Sequence, residues 1–238
     1  MKKVCWLSAG VSSFIAGVLA QNVDEYIYID VPDQHPDSLR FIHDCEKYLN
    51  RKIIILRSKY SSVDEVLRKN KYINGPNGAP CTKHLKKLVR LAWEKENPGP
   101  YIYVWGFDKN EIQRAQRMRE TFFEYGHEFP LIDNNITKEE AHGMLDAIGI
   151  KRPVMYDLGY PNNNCVGCVK GGMGYWNKIR EDFPDVFEMR AKMEDDLGAT
   201  CIKGVRLRDL EPGKGRNKVI LPDCSLLCDD ILGGINNG

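Results

Sequence analysis

Little in this chain is one-sided. Lysine and arginine number 34 against 33 aspartates and glutamates, for a formal charge of +1. That near-balance removes the global basic signature of a protein that coats nucleic acid, and only local basic patches are left open. No apolar run is long enough to span a bilayer, so no membrane partner is expected. Internal repeats and low-complexity tracts are also missing, which argues against a repeat array or a linker-rich chain. What is present is length: 238 residues can bury a full core, as one large α/β domain or one domain with an appendage. There are also eight cysteines, Cys5, Cys45, Cys81, Cys165, Cys168, Cys201, Cys224 and Cys228. In a secreted protein they would suggest disulfides. In an α/β protein of this size, clustered cysteines more often bind metal or do redox work.

The N-terminus offers two readings. Met1-Lys2-Lys3, an apolar stretch to Leu19 and then Val18-Leu19-Ala20-Gln21 mimic a secretory signal with a small-residue cleavage site. The apolar stretch is interrupted by Ser8, Gly10, Ser12 and Ser13, however. The expectation is a cytoplasmic chain that keeps its N-terminus, with residues 4–7 as a sheet strand. Between that strand and an apolar helix over Phe14 to Leu19 lies Ser8-Ala9-Gly10-Val11-Ser12-Ser13. Small residues let the backbone approach a ligand, and amides at the helix N-terminus suit an anionic group, usually phosphate. Tight packing alone would also explain such a turn.

Taken in order, the chain alternates strand and helix signals. Strands are predicted at Glu25–Asp30, Lys52–Leu56, Tyr101–Trp105 and Glu128–Ile132. Helices are predicted over Ser38 to Leu49 capped by Asp37, Val63 to Lys69 started by Ser61 or Ser62, Cys81 to Glu96, Asn110 to Arg119, and from Thr137 to Ile148 behind a capping box. This pattern predicts a parallel five-stranded sheet with helices on both faces. Ligands in such sheets sit at the C-terminal strand ends, which would gather the Ser8–Ser13 loop, Asp30, Arg57-Ser58 and Gly106-Phe107-Asp108. Beyond Pro153 the character changes. Residues 156–174 are rich in Gly and Asn, a helix broken near Pro184 covers Tyr175 to Leu197, and the rest is irregular. A division into residues 1–152 and 153–238 follows.

The strongest local signal is Asn162-Asn163-Asn164-Cys165-Val166-Gly167-Cys168. Two cysteines two residues apart can present both thiolates to one metal centre, although one pair cannot complete a site. Cys81 is a candidate partner. It follows Pro80 at a predicted helix N-terminus, where the dipole favours thiolate, with Lys83, Lys86 and Lys87 nearby. A buried pair of small hydrophobes or a redox disulfide is the alternative. Cys5 and Cys45 fall on a strand and an apolar helix face and read as core.

Four stretches together resemble the phosphoadenosine phosphosulfate (PAPS) reductase family, within the superfamily of PP-loop ATP pyrophosphatases. Ser8 to Ser13 resembles a variant of that superfamily's S-G-G-x-D-S loop. Pro80-Cys81-Thr82-Lys83-His84-Leu85-Lys86 is similar to the C-C-x-x-R-K segment of iron–sulfur sulfonucleotide reductases and to the C-T-x-x-L-K of DNA phosphorothioation sulfurtransferases. Tyr156-Asp157-Leu158-Gly159-Tyr160 to Cys168 is similar to the family's D-x-G-Y…C-x-x-C, and Gly106 to Arg117 to its G-x-R-x-x-E-S-x-x-R. The likeness covers roughly residues 1–170 in matching order. Lys170 to Arg180 is similar to phage and prophage members.

The resemblance implies an adenine nucleotide alpha hydrolase-like fold. Nucleotide-binding residues would be Ser8, Ala9, Gly10, Val11, Ser12, Ser13, Asp30 and Gly106. Cys81, Cys165 and Cys168 would be ligands of an iron–sulfur (4Fe-4S) cluster. ATP or a related adenine nucleotide, with Mg²⁺ at its phosphates, would be the second cofactor. Arg114 and Arg117 would clamp phosphate or the acceptor, and Asp30 would read the adenosine. The departures bear on the chemistry. Ser12 stands where the loop has its Asp and Ala9 where it has its first Gly, which puts ATP cleavage in question. Pro80 replaces one of two paired cysteines, leaving three matched ligands and one iron open. The reductases' E-C-G-x-H segment is absent, and Asp223-Cys224-Ser225-Leu226-Leu227 keeps only its Cys and an acid.

Three functions follow as expectations. The first is sulfur transfer through an adenylated acceptor, which could be a nucleic acid, with a cysteine desulfurase as sulfur donor. The second is a thioredoxin-dependent sulfonucleotide reductase with Cys224 as nucleophile. The third is a non-catalytic zinc module of Cys81, Cys165, Cys168 and one tail cysteine, its basic 83–90 helix binding nucleic acid. Oligomerisation is open in all three.

Overall fold

A computed structural model describes residues 1–76, 78–216 and 218–222. Five strands, β1 (Lys2–Leu7), β2 (Glu25–Asp30), β3 (Ile53–Arg57), β4 (Tyr101–Val104) and β5 (Gly126–Glu128), form one sheet in the order β3-β2-β1-β4-β5. Every pairing is parallel, with Leu7 opposite Tyr28, Asp30 opposite Arg57 and Cys5 opposite Val104. The chain folds this way because β1 is apolar on both sides, as a central strand must be. Cys5 and Leu7 face a core shared with α1 (Val11–Leu19), α2 (Asp37–Leu49) and α8 (Lys138–Ile148). Val4 and Trp6 face an aromatic layer of Trp93, Tyr101 and Tyr103. Cys5 and Cys45 are buried in the first of these cores, as their sequence positions imply.

The remaining helices are α3 (Val63–Asn70), α4 (Pro80–Thr82), α5 (Leu88–Glu96), α6 (Ile112–Thr121), α7 (Pro130–Asp133), α9 (Val154–Asp157), α10 (Met173–Asp182) and α11 (Pro184–Leu197). Ser62 caps α3 by accepting from the Glu65 amide at 3.0 Å, and Thr137 with Glu140 forms the expected capping box on α8. Pro184 separates α10 from α11, since a proline fits a first helical turn but not an interior. Between α4 and α5, Lys83–Lys87 adopts a π-helical turn, a local widening that often marks a functional segment. α10 and α11 pack with Val63, Val66 and Leu67 of α3 in a separate core.

Two sequence expectations need correction. The strand predicted over Glu128–Ile132 lies earlier, at Gly126–Glu128, and Pro130–Asp133 is helical. Phe129 and Leu131 are fully buried, and a short buried apolar run has no period with which to distinguish strand from helix. Asp37 does not stand before α2 as its cap but is its first residue. Its carboxylate accepts from the Val154 amide at 2.8 Å and pairs with Arg40 at 2.8 Å, tying α2 to the start of α9. Among the described residues no helix is long and apolar enough to cross a membrane.

His142 of α8 is fully buried, and neither ring nitrogen has a hydrogen-bond partner. Its ring meets Tyr156 edge-on at 4.5 Å. Burial holds its pKa down to about 3, with the charges of Arg152 and Lys138 acting the same way. The unfolded chain would therefore take up a proton near the ordinary value of about 6.5 that the folded chain refuses. Stability is full above that value and falls as pH drops from there toward 3. Thermal denaturation of wild type and His142→Phe between pH 7 and pH 4 should show a smaller acid-side loss in the variant. Equal loss in both would remove His142 as a cause.

Candidate functional site

A cleft of about 610 Å³ opens at the C-terminal edge of the sheet. One wall is the loop between β1 and α1 together with the first turn of α1, which starts at Val11 rather than at Phe14. Ser13, nearly buried, closes this loop through its hydroxyl, which accepts from the Ser8 amide at 3.0 Å and donates to the Gly10 carbonyl at 2.8 Å. Ser8, Gly10, Ser12 and Ser13 line the cleft, while Ala9 and Val11 are buried beneath it. Ala9 sits in the left-handed region at φ 56°, the conformation that a glycine would take without strain. Gly106, at the end of β4, lies so close that a Cβ there would stand 2.4 Å from the Ser13 Cα and 2.5 Å from its amide nitrogen. No other residue type fits that approach.

The second wall comes from the helical segment that begins at Pro80. Thr82, Lys86, Lys87 and Arg90 line the cleft together with Trp105, Phe107, Arg114, Met118 and Phe122. Arg90 is anchored to Glu94 at 2.8 Å and lies over the Phe122 ring, 5.1 Å from its centroid. Arg114 pairs with Glu111 and lies 4.2 Å from the centroid of Phe107. Lys138 lines the floor, bonded to the Pro161 carbonyl and to Asn162. Burial pushes its pKa down, while Asp108 and Glu111 oppose that shift. Loop hydroxyls stand on one side and Lys86, Lys87, Arg90 and Arg114 on the other, an arrangement suited to an anion, with the carboxylates of Asp108 and Glu111 also in the lining.

Two expected residues lie elsewhere. The Asp30 carboxylate is paired with Arg57 at 2.8 Å and is not part of the cleft lining. Arg117 is exposed, its Nε donating to the Gln113 carbonyl of its own helix at 3.3 Å. Cys224 and Cys228 lie outside the described residues.

The C-x-x-C segment is fixed to the loop by a set of buried polar contacts. Asn163 donates to the Ala9 carbonyl at 2.7 Å and to the Ser38 hydroxyl at 3.0 Å. Gln34, held by the Tyr28 hydroxyl at 2.8 Å, donates to the Asn163 carbonyl at 3.3 Å and bridges to Cys165. The Val166 amide donates to the Asp33 carbonyl at 2.8 Å. Within the turn, the Tyr175 hydroxyl donates to the Cys165 carbonyl at 2.9 Å and accepts from the Cys168 amide at 2.8 Å. Gly167 has φ 72°, and a Cβ there would meet Val186 at 2.5 Å. Tyr156 completes the connection. The backbone of Val11 and Asn163 hydrogen-bonds its hydroxyl, while burial pushes its pKa up to about 12.

The three candidate thiols lie within one electrostatic neighbourhood. Burial raises the pKa of Cys81, and Cys168 adds to the rise; Lys170 and Arg190 oppose it. The helix N-terminus and Lys83 to Lys87 were expected to favour thiolate at Cys81, but burial outweighs them. Burial raises Cys165 to about 12, Lys86 lowers it, and Cys168, Asp33 and Cys81 raise it. Cys81 and Cys165 pack against the same core, which also holds Cys201. Among the described residues, no group of three or more His, Cys, Asp and Glu side chains is arranged to hold a metal ion. Three thiols from two segments are the donor type a thiolate-bound centre takes, but the described side chains are not brought together as one. None of the three lines the cleft, yet Thr82 and Asn164, their sequence neighbours, do.

The α/β architecture, with a five-stranded parallel sheet in the order β3-β2-β1-β4-β5, is as in the adenine nucleotide alpha hydrolase fold. A crystal structure of phosphoadenylyl-sulfate (PAPS) reductase from Candida auris, in complex with phosphate, superposes with a TM-score of 0.50 at 14% identity, covering 69% of this chain and 81% of that one. No protein-family model matches the chain, and no curated protein matches it.

Proposed function

We propose that the chain is a cytoplasmic enzyme that binds an adenine nucleotide at the Ser8–Ser13 loop beside a thiolate-held iron–sulfur cluster, and that it transfers sulfur to an adenylated acceptor. One observation carries the reading. The cleft that would offer the loop to phosphate is walled on its other side by the helical segment that carries Cys81 in its first turn. A bound nucleotide would lie next to the thiols. When bound, the cluster would supply a sulfur- or electron-donating iron centre, held by Cys81, Cys165 and Cys168. The chain's own residues would do the rest. Loop hydroxyls and amides would hold phosphate charge, with Mg²⁺ sharing it where ATP is used. Lys86, Lys87, Arg90 and Lys138 would offset the charge of nucleotide and acceptor, and the aromatic wall would exclude water. In balance, ATP and an acceptor hydroxyl would give the adenylate and pyrophosphate; sulfide from a donor protein would then replace AMP on the acceptor carbon.

A likeness in fold to PAPS reductase favours a second reading, reduction of a sulfonucleotide by thioredoxin. Calorimetry on the full chain with ATP, AMP and adenosine bisphosphate tests the site common to both readings. Binding of at least one is expected, and no heat with any of them would remove the cleft as a nucleotide site. Pyrophosphate release with ATP then favours sulfur transfer, whereas sulfite release from a sulfonucleotide with thioredoxin favours reduction.

A further inference from the structure

Among the cations that wall the cleft, one is built in. Arg90 of α5 pairs at 2.8 Å with Glu94, one turn further along the same helix, and their side chains are only 12% and 9% exposed. Arg114, on the same wall, is 59% exposed in its pair with Glu111. Lys86 and Lys87 are exposed and make no ion pair among the described residues. Glu94 is itself held from the sheet. The hydroxyl of Tyr103, fully buried on β4, donates to its Oε1, and the Tyr125 hydroxyl donates to its Oε2 at 3.4 Å. The guanidinium lies over the Phe122 ring at 5.1 Å and the Tyr125 ring at 6.0 Å. A guanidinium has five N–H donors. Here Nη1 serves Glu94, while Nε and Nη2 hold no hydrogen bond among the described residues and are not sealed in. Well-packed apolar residues join a helix to a sheet as well as a half-buried ion pair does. A guanidinium with its face on rings, one edge on a carboxylate and the rest open to a cleft is a preformed fork for a tetrahedral oxyanion.

We infer that Arg90 is the contact for a second anionic group of the nucleotide, a phosphate or sulfate borne apart from the group at the Ser8–Ser13 loop, and that Glu94 is its positioning residue. The substrate class is then a nucleotide with at least two anionic groups, taken in preference to a monophosphate. This rests on the nucleotide reading above and is independent of the cluster. Glu94 offsets the charge of Arg90, and Asp108 and Glu111 also line the cleft. Selection therefore comes from the fixed fork more than from net positive charge.

The test is calorimetry on full-length wild type, Arg90→Met, Arg90→Lys and Glu94→Gln, each with AMP, ATP and adenosine bisphosphate at one salt concentration. Wild type should bind ATP or the bisphosphate roughly 10- to 150-fold more tightly than AMP, the range for hydrogen bonds to charged groups. Arg90→Met should lose that preference and keep the wild-type affinity for AMP. Arg90→Lys keeps the charge without the fork, and its preference should fall between the two. Glu94→Gln keeps an acceptor for the tyrosine hydroxyls but frees the arginine. Loss of a carboxylate by itself would strengthen anion binding, so a weaker preference marks lost positioning, and a stronger one overturns the role of Glu94. A preference that survives intact in Arg90→Met, or a wild type that binds AMP as tightly as both other ligands, overturns the inference while the nucleotide site stands. Should Arg90→Met fail to fold by circular dichroism, Arg90→Lys decides, and full retention of the preference there overturns the inference. No heat with any of the three on wild type removes the nucleotide reading, and this inference falls with it.

Discussion

Cys81→Ser should abolish uptake of iron and sulfide, and Cys165→Ser and Cys168→Ser should each do the same. A serine oxygen is a poor substitute for thiolate toward iron, and three protein sulfurs leave no spare. The effect is expected to be near-total loss of the visible absorption of the loaded protein, rather than a graded decline. The fold should survive, because Cys81, Cys165 and Cys168 are only partly buried and make no side-chain hydrogen bond that the turn depends on; the turn is held by Tyr175, Asn163 and Gln34 instead. Cys5→Ser and Cys45→Ser should retain the cluster. They lie in the core beneath α1 and α2, where a hydroxyl lowers stability by about 1–3 kcal/mol without touching the thiol site. Circular dichroism separates loss of fold from loss of cluster. Full loading of any of the three site variants would exclude that residue as a ligand.

Gly106→Val should have the second largest effect, on nucleotide binding. Its Cβ would stand 2.4 Å from a backbone carbon of Ser13 and 2.7 Å from the Ser12 carbonyl carbon. Real Cβ atoms do not approach backbone so closely, so the loop or the end of β4 must move. Overpacking of this kind costs on the order of 1–3 kcal/mol, and here it falls on the wall of the cleft proposed to take phosphate. Affinity for adenine nucleotide should drop roughly 5- to 150-fold if that cost is taken from binding. Gly10→Val is milder: its Cβ would meet the Tyr156 hydroxyl at 3.2 Å and the Ser8 hydroxyl at 3.3 Å, and side-chain tips can yield. Ser13→Asp should act by breaking the Ser8 and Gly10 bonds, since Ser13 closes the loop from inside. Calorimetry on the three variants should rank them in that way; equal affinity for Gly106→Val and wild type would detach the loop from the site.

The fold was legible because its signals are periodic or local. Alternating strands and helices give a parallel sheet, and Ser62 and Thr137 mark helix starts by their own hydrogen bonds. β5 was misplaced because Phe129 and Leu131 are buried whichever element they join. The loop and the C-x-x-C turn were legible as motifs, each a short run with its own chemistry. The residues that join them were not. Gln34, Asn163, Tyr175 and Arg190 act through contacts between distant segments, and nothing in their sequence neighbourhoods distinguishes a buried arginine on α11 from an exposed one. Lys138 appeared in the sequence only as part of a capping box, yet the turn of chain at Pro161 and Asn162 brings it to the floor of the cleft. Asp30 and Arg117 show the converse: residues placed by motif alone, whose side chains here meet Arg57 and the Gln113 carbonyl.

The central claim is that Cys81, Cys165 and Cys168 hold one iron–sulfur cluster beside the nucleotide cleft. The most direct measurement is iron, acid-labile sulfide and zinc in the full chain purified without oxygen. The account predicts a brown protein with iron and sulfide in equal amounts, approaching four of each per chain for a 4Fe-4S centre. A colourless protein carrying stoichiometric zinc, or no metal after anaerobic loading with iron and sulfide, would contradict it.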